Sequence, residues 1–217
     1  LDDLRVYEGL PTDAEIQALY ESGDPPVEEP PALELFLKLE GDMTDSSGNA
    51  RDGTLVTGSL GSAAFEPARA GQGLSLDHDP DTLTTDTTEG AYVSLPLTLP
   101  EAGTIALWYY VAPYYNYQSV WDNSVQAEDW EMWVYEDGRL RARIDASSGD
   151  ITYDLDNLSG PESWYHIAFV WDRINAFAEL YVNGSKVGSS AIGTWIEPGD
   201  TFFLGGGNAG NRFGVGT

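Results

Sequence analysis

Apolar residues recur at every second position in many short stretches of this chain, and at helical spacing in one. In residues 1–7, Leu4 and Val6 share one face while Asp3, Arg5 and Tyr7 share the other, which predicts a strand. Leu33, Leu35, Leu37 and Leu39 alternate in the same way with Glu34, Phe36 and Lys38. Further strands are predicted over residues 104–111, 130–135, 140–144, 164–171, 177–182 and 201–204. Glu136-Asp137-Gly138 predicts one hairpin turn. Asn183-Gly184 predicts another, because Asn-Gly tolerates the positive φ that a tight turn requires. The helical stretch follows Pro11. Thr12 stands as N-cap with Glu15 three residues on as the acid of a capping box, and Ile16, Leu19 and Tyr20 form the apolar face.

This pattern divides the chain into a strand and short helix over residues 1–22, a spacer over 23–32 and a strand-rich body over 33–217. The spacer holds Pro25, Pro26, Pro30 and Pro31 with Asp24, Glu28 and Glu29, a stiff extended segment with nothing to bury. Many short strands with 24 glycines predict an all-β fold, a two-sheet antiparallel jelly-roll sandwich carrying one short N-terminal helix.

Charge narrows the partners. The 217 residues carry 36 acidic against 10 basic side chains, a formal charge of −26, and Lys38 and Lys186 are the only lysines. Neutralising phosphates takes clustered Lys and Arg, so nucleic acid and anionic membrane surfaces are excluded. Such acidity fits a surface exposed to high salt or divalent cations. At 41% hydrophobic and 12% aromatic residues there is material for a real core. No apolar run approaches the roughly 18 residues of a spanning helix, so no membrane insertion is expected. The absence of cysteine excludes disulfides and thiolate metal sites. With Leu1 in place of an initiator Met, the chain is expected to be a piece of something longer.

Four segments resemble, in order, the signatures of laminin-G-like, concanavalin A-like jelly rolls: Asp45-Ser-Ser-Gly-Asn-Ala-Arg-Asp-Gly-Thr54, Gly103-Thr-Ile-Ala-Leu-Trp108, Trp164-Tyr-His-Ile-Ala-Phe169 and Leu180-Tyr-Val-Asn-Gly184. Together they cover residues 33–205. The family's last signature, of the form Asp-Asp-Leu-Arg-Val-Tyr followed by Ala-Glu-Ile-Gln-Ala-Leu-Tyr, stands first here, at residues 2–20. Two readings follow from that displacement. Either the first strand folds back into its own sandwich as in a circular permutant, or the chain is a repeat whose Leu1, Leu4 and Val6 complete the sheet of a neighbouring copy beside Leu35 and Leu37. The second is favoured by the stiff spacer. It implies a non-catalytic extracellular or cell-surface adhesive module, assembled head-to-tail into a filament by a donor strand. The alternative is a carbohydrate-binding module, calcium-dependent in some members of the family.

Candidate chemistry is sparse. Glycosidases of this fold need two carboxylates on one strand face, and in Glu128-Asp129-Trp130-Glu131 the two glutamates point to opposite faces, so no enzyme is expected. Of the two histidines, His78 and His166, the latter reads as an ordinary strand residue. Hard-cation binding has better material. Asp45, Asn49 and Asp52 in a glycine-containing turn offer oxygens for Ca2+, and the resemblance implies that Asp2 and Asp3 lie nearby. A second run, Asp77-His-Asp-Pro-Asp81, has the spacing of a calcium loop without its glycine or its closing glutamate. For polysaccharide, Tyr114, Tyr115, Tyr117 and Trp121 crowd a turn-rich stretch, and aromatic faces stack on pyranose rings. Alternation also places Trp133 and Tyr135 on one face with Arg139, Arg141 and Arg143, a cation–π stripe on an open sheet.

Overall fold

The computed structural model describes residues 1–22, 32–58, 61–78, 90–113, 118–123, 130–144 and 149–205. In chain order the elements are β1 (Asp2–Glu8), α1 (Asp13–Ser22), β2 (Ala32–Leu37), β3 (Thr54–Thr57), β4 (Gly61–Pro67), β5 (Gln72–His78), β6 (Ala91–Leu95), β7 (Ala102–Val111) and β8 (Gln118–Asp122). They continue with β9 (Glu131–Val134), β10 (Arg139–Arg143), β11 (Ile151–Asp154), β12 (Ser163–Asp172), β13 (Phe177–Val182), β14 (Ser185–Ala191) and β15 (Phe202–Leu204). A six-stranded sheet in the order β14-β13-β12-β7-β1-β2 faces a seven-stranded sheet in the order β11-β10-β9-β8-β15-β6-β3. The β4–β5 hairpin forms a separate two-stranded ribbon. Every pairing is antiparallel, so each sheet turns alternate residues inward and outward. This is the predicted jelly-roll sandwich.

Its core is built from the inward residues of both sheets. Ile105, Leu107, Tyr109 and Val111 of β7 and Tyr165, Ile167, Phe169 and Trp171 of β12 meet Met132 and Val134 of β9 and Leu140 and Ala142 of β10. The two turns behave as their residues demand. Asn183 and Gly184 take φ of 50° and 76° between β13 and β14, and Gly138 takes 83° between β9 and β10.

Leu4 and Val6 of β1 are fully buried in this core. Leu4 lies opposite Leu37 and Val6 opposite Leu35, while the other edge of β1 bonds to β7 with Val6 opposite Ile105. Leu1 exchanges two backbone hydrogen bonds with Leu74 of β5. The opening strand is therefore seated in the sandwich of its own chain. Within this chain β1 fills the gap between β2 and β7.

Helix α1 begins as predicted. The Glu15 carboxylate accepts from the Thr12 N–H at 2.6 Å, and the Glu15 N–H donates to the Thr12 hydroxyl at 3.3 Å. Ile16 and Leu19 are buried on the outer face of the six-stranded sheet with Tyr7, Ala106, Ala168, Val170 and Tyr181. A β-bulge between Val6 and Tyr7 brings Leu33 opposite Tyr7, so Leu33 packs under the helix while Leu35 and Leu37 point into the sandwich. The Tyr181 hydroxyl donates to Asp13 at 2.7 Å and ties the first helical turn to β13.

Candidate functional site

The outward face of the seven-stranded sheet gathers most of the chemistry among the described residues. On β9, Met132 and Val134 are buried inward, so Glu131 and Trp133 turn outward; on β10, Leu140 and Ala142 point inward and Arg139, Arg141 and Arg143 outward. Arg141 stands opposite Trp133 and Arg143 opposite Glu131. The Arg141 guanidinium lies 4.8 Å from the Trp133 ring centroid and 5.7 Å from that of Tyr135, with Arg143 5.9 Å from Trp133. Trp133 and Tyr135 meet edge to face at 6.1 Å. The predicted cation–π stripe is thus formed.

Asp150 fixes the arginines. Its carboxylate pairs with Nε of Arg141 at 2.8 Å and with Nη2 of Arg143 at 2.8 Å, and Arg143 also reaches Glu131 at 3.5 Å. Arg141 further donates to the Tyr135 hydroxyl. Held by charge on one side and by a ring on the other, Arg141 keeps a fixed plane against Trp133, which is half-buried and whose Nε1 has no hydrogen-bond partner. The arrangement offers a rigid aromatic and guanidinium platform, which suits a polyhydroxylated ligand.

Other predicted residues fall elsewhere. Tyr114, Tyr115 and Tyr117 lie outside the described residues. Trp121 is fully buried, stacked on Phe202 at 5.8 Å and tilted against Phe169 at 5.7 Å, so its assignment to a sugar surface is corrected. A bulge between Ser119 and Trp121 sets Trp121 opposite inward-facing Met132 and sends its ring into the core. The same bulge places Asp122 opposite Glu131. These two carboxylates, 2% and 3% exposed, form a cross-strand pair that spacing along one strand does not reveal.

The turn proposed for calcium is organised by hydrogen bonds. Asp45 Oδ1 accepts the N–H groups of Phe36 at 3.0 Å and Ser47 at 2.9 Å; Oδ2 accepts the N–H of Arg51 at 3.0 Å and the Ser47 hydroxyl at 2.8 Å. Burial pushes this carboxyl up, but the N–H bonds from Arg51, Phe36 and Ser47 outweigh it and hold it below its ordinary value. Asp52 accepts the Asp45 N–H at 2.8 Å, and the Asn49 amide donates to the carbonyls of Leu33 and Glu34, each at 3.0 Å. Asp3 pairs with Arg5 at 3.3 Å. Asp2 faces Asp3, Ala70 and Glu40, and desolvation first, then the Asp3 charge, raises it to about 6. Among the described residues no three His, Cys, Asp or Glu side chains gather into a group that could hold a metal ion. Each oxygen of the Asp45 carboxylate thus accepts two hydrogen bonds, which hold the backbone of the turn. Of the second run, residues 79–81 lie outside the described residues, as does Glu128.

His166 is buried between Trp108, at 5.3 Å, and Tyr20, at 6.1 Å, and its Nδ1 has no partner. Desolvation, assisted by the charges of Arg5 and Arg69, lowers it to about 4. The ring is held by aromatic contacts, while the backbone N–H donates to Asn183 Oδ1 at 3.0 Å and the carbonyl accepts the Asn183 N–H at 2.8 Å.

Comparison with known proteins agrees with this architecture. The family model for the laminin G type of the concanavalin A-like lectin/glucanases superfamily matches residues 86–217, more than half of the chain. The protein belongs to that family. No curated protein matches it. Among solved structures, the binding domain of botulinum neurotoxin DC in complex with rat synaptotagmin II is similar at 15% identity and a TM-score of 0.54, covering 74% of this chain and 40% of that one. A botulinum neurotoxin type C structure, described by cell entry dependent upon interaction with two ganglioside molecules, is similar at 14% identity and a TM-score of 0.54, covering 74% and 39%. The neurotoxin DC binding domain in complex with SialylT has 15% identity and a TM-score of 0.52, covering 74% and 39%. The chain therefore spans about two fifths of the solved structures it matches, and at these identities the likeness shows the fold alone.

Proposed function

We propose that the protein is a non-catalytic carbohydrate-binding module, acting outside the cell or at its surface, whose contact surface is the outward face of the seven-stranded sheet around Trp133. The observation that carries this reading is the Arg141 guanidinium held by Asp150 over Trp133 and Tyr135. A platform fixed before binding loses little side-chain entropy when a ligand docks. The family is one of lectins and glucanases, and two of the similar neurotoxin structures name gangliosides or SialylT as what those proteins contact. Against catalysis stands the setting of the Asp122–Glu131 pair: both carboxylates are almost wholly buried, and Arg143 already faces Glu131. Strand sharing between copies draws no support from a β1 paired on both edges within its own chain.

Affinity electrophoresis in gels containing laminarin, xylan or alginate tests the reading. At least one polysaccharide should retard the protein, and Trp133→Ala should weaken that retardation about tenfold, the loss of a stacking and cation–π surface worth about 1–2 kcal/mol. Equal retardation of the variant would place the ligand elsewhere. Release of new reducing ends by the wild type, abolished by Glu131→Gln, would overturn the non-catalytic part.

A further inference from the structure

The chain contains two Asn-x-Ser sequences, Asn157-Leu158-Ser159 and Asn183-Gly184-Ser185, and the fold sets them in opposite environments. The first lies in the turn between β11 and β12. Asn157 ends a single 3-10 turn over Leu155–Asn157, and all three residues of the sequence are exposed, Leu158 to 45%. Among the described residues neither the Asn157 side-chain amide nor the Ser159 hydroxyl makes a hydrogen bond. The backbone of the turn is nevertheless firm. The N–H groups of Leu158 and Gly160 both donate to the Leu155 carbonyl, at 2.9 and 3.2 Å, and the Ser159 N–H donates to the Tyr165 hydroxyl at 3.2 Å. The second sequence is the hairpin turn between β13 and β14, where Asn183 is half-buried. Its Oδ1 accepts the His166 N–H at 3.0 Å, and its own N–H donates to the His166 carbonyl at 2.8 Å. Gln17 of α1 lies against this turn, so close that a Cβ on Gly184 would collide with its Oε1.

We propose that Asn157 is an acceptor for a covalent N-linked glycan and that Asn183, with the same motif, is not. The inference is independent of ligand binding at the Trp133 surface and rests only on the reading that the protein acts outside the cell. The donor is an oligosaccharide carried on a polyprenyl diphosphate. Asn157 Nδ2 bonds to its anomeric carbon, the bond from that carbon to the diphosphate oxygen breaks, the lipid diphosphate leaves, and Nδ2 gives up one proton. The Ser159 hydroxyl, two residues on, completes the motif that this transfer requires. A glycan is bulky and has to stay in water, so the fold can carry one only on a side chain that it leaves free. Asn157 meets that condition. A glycan on Asn183 would grow from a half-buried side chain bonded back to β12, beside a helix that already touches the next residue. At Asn157 it would instead stand after β11, the last strand of the seven-stranded sheet, next to the exposed Leu158, where its bulk hinders another chain from pairing with that edge.

Secretion of the whole chain from cultured animal cells, behind a supplied leader, tests the proposal whatever the protein's own route out of the cell. Peptide N-glycosidase F in heavy-oxygen water converts each glycan-bearing asparagine to a labelled aspartate. The label should fall on Asn157 and not on Asn183. Asn157→Gln should bring the secreted chain to its bare peptide mass. Ser159→Ala should do the same while keeping Asn157 itself, which separates loss of the motif from loss of the acceptor. Trp133→Ala should carry the glycan as the wild type does, so a failure here is distinct from a failure of the sheet surface. A wild-type chain secreted at its bare peptide mass, label on Asn183, or a glycan that persists in Asn157→Gln or Ser159→Ala would each overturn the assignment.

Discussion

Asp45 shows how one carboxylate can fix a loop. It gathers the N–H groups of Phe36, Ser47 and Arg51, and thereby sets where the chain turns after β2 and before β3. Asp45→Ala leaves three backbone donors without their acceptor. An unmade hydrogen bond costs about 1–3 kcal/mol when buried, and water recovers part of that at this half-open turn, so a loss of about 2–3 kcal/mol is expected in urea unfolding. Asp45→Asn, which keeps an acceptor oxygen, should lose about half as much. Excess chelator should leave the wild-type midpoint where it is, because the carboxylate lone pairs are already occupied. A chelator-dependent midpoint, or a loss below about 0.5 kcal/mol for Asp45→Ala, would instead favour an ion at this turn.

At the scale of the element, β1 decides the closure of the molecule. It pairs on both edges, and Leu4 and Val6 are fully buried, so without it the six-stranded sheet would have two new edges and an apolar seam. Dilution to nanomolar concentration should therefore leave a monomer whose β1 amides resist hydrogen exchange as well as those of β7. Deletion of residues 1–22 should produce a self-associating protein that a synthetic peptide of residues 1–22 returns to monomer. Dimers that persist at nanomolar concentration and lose β1 protection on dissociation would restore exchange between copies. The strands legible in the sequence were those with an apolar face of large residues: β1, β2, β7, β9, β10, β12, β13 and β15. The strands not predicted were β3, β4, β5, β6, β8, β11 and β14; of these β4, with Gly-Ser-Ala-Ala, and β14, with Val-Gly-Ser-Ser-Ala, are rich in small and exposed residues, and their partners β5 and β13 define them. The Trp133 stripe could be read because β9 and β10 alternate without a break. Trp121 could not be read in that way, because a bulge reverses its side without any mark in the local pattern. Asp150 and Asp122 joined the site through neighbouring strands, a relation that a single sequence does not display.

Over the whole molecule, a charge of −26 at pH 7 strains the compact state by self-repulsion, and acidification relieves part of that strain. Buried groups then determine the detailed pH dependence, and they act in opposite directions. His166 is lowered from 6.5 to about 4 by desolvation, so the unfolded chain takes up its proton first. Its contribution to stability therefore falls as pH drops from about 6.5 to about 4, by up to about 3 kcal/mol. Asp2 is raised from 3.8 to about 6, so the folded chain takes up that proton first, and its contribution rises as pH falls from about 6 to about 3.8. Asp45, held below 3.8, protects the fold throughout this window and fails only below it. Unfolding free energies measured in urea at pH 7, 5.5 and 4.5 should thus show a shallow dependence in the wild type, with the two groups in partial balance. His166→Phe keeps an aromatic ring between Tyr20 and Trp108 and should make the protein more stable as pH falls. Asp2→Asn removes the opposing group and should steepen the loss. If His166→Phe declines between pH 6.5 and 4.5 as the wild type does, His166 is not a group that limits the fold in acid.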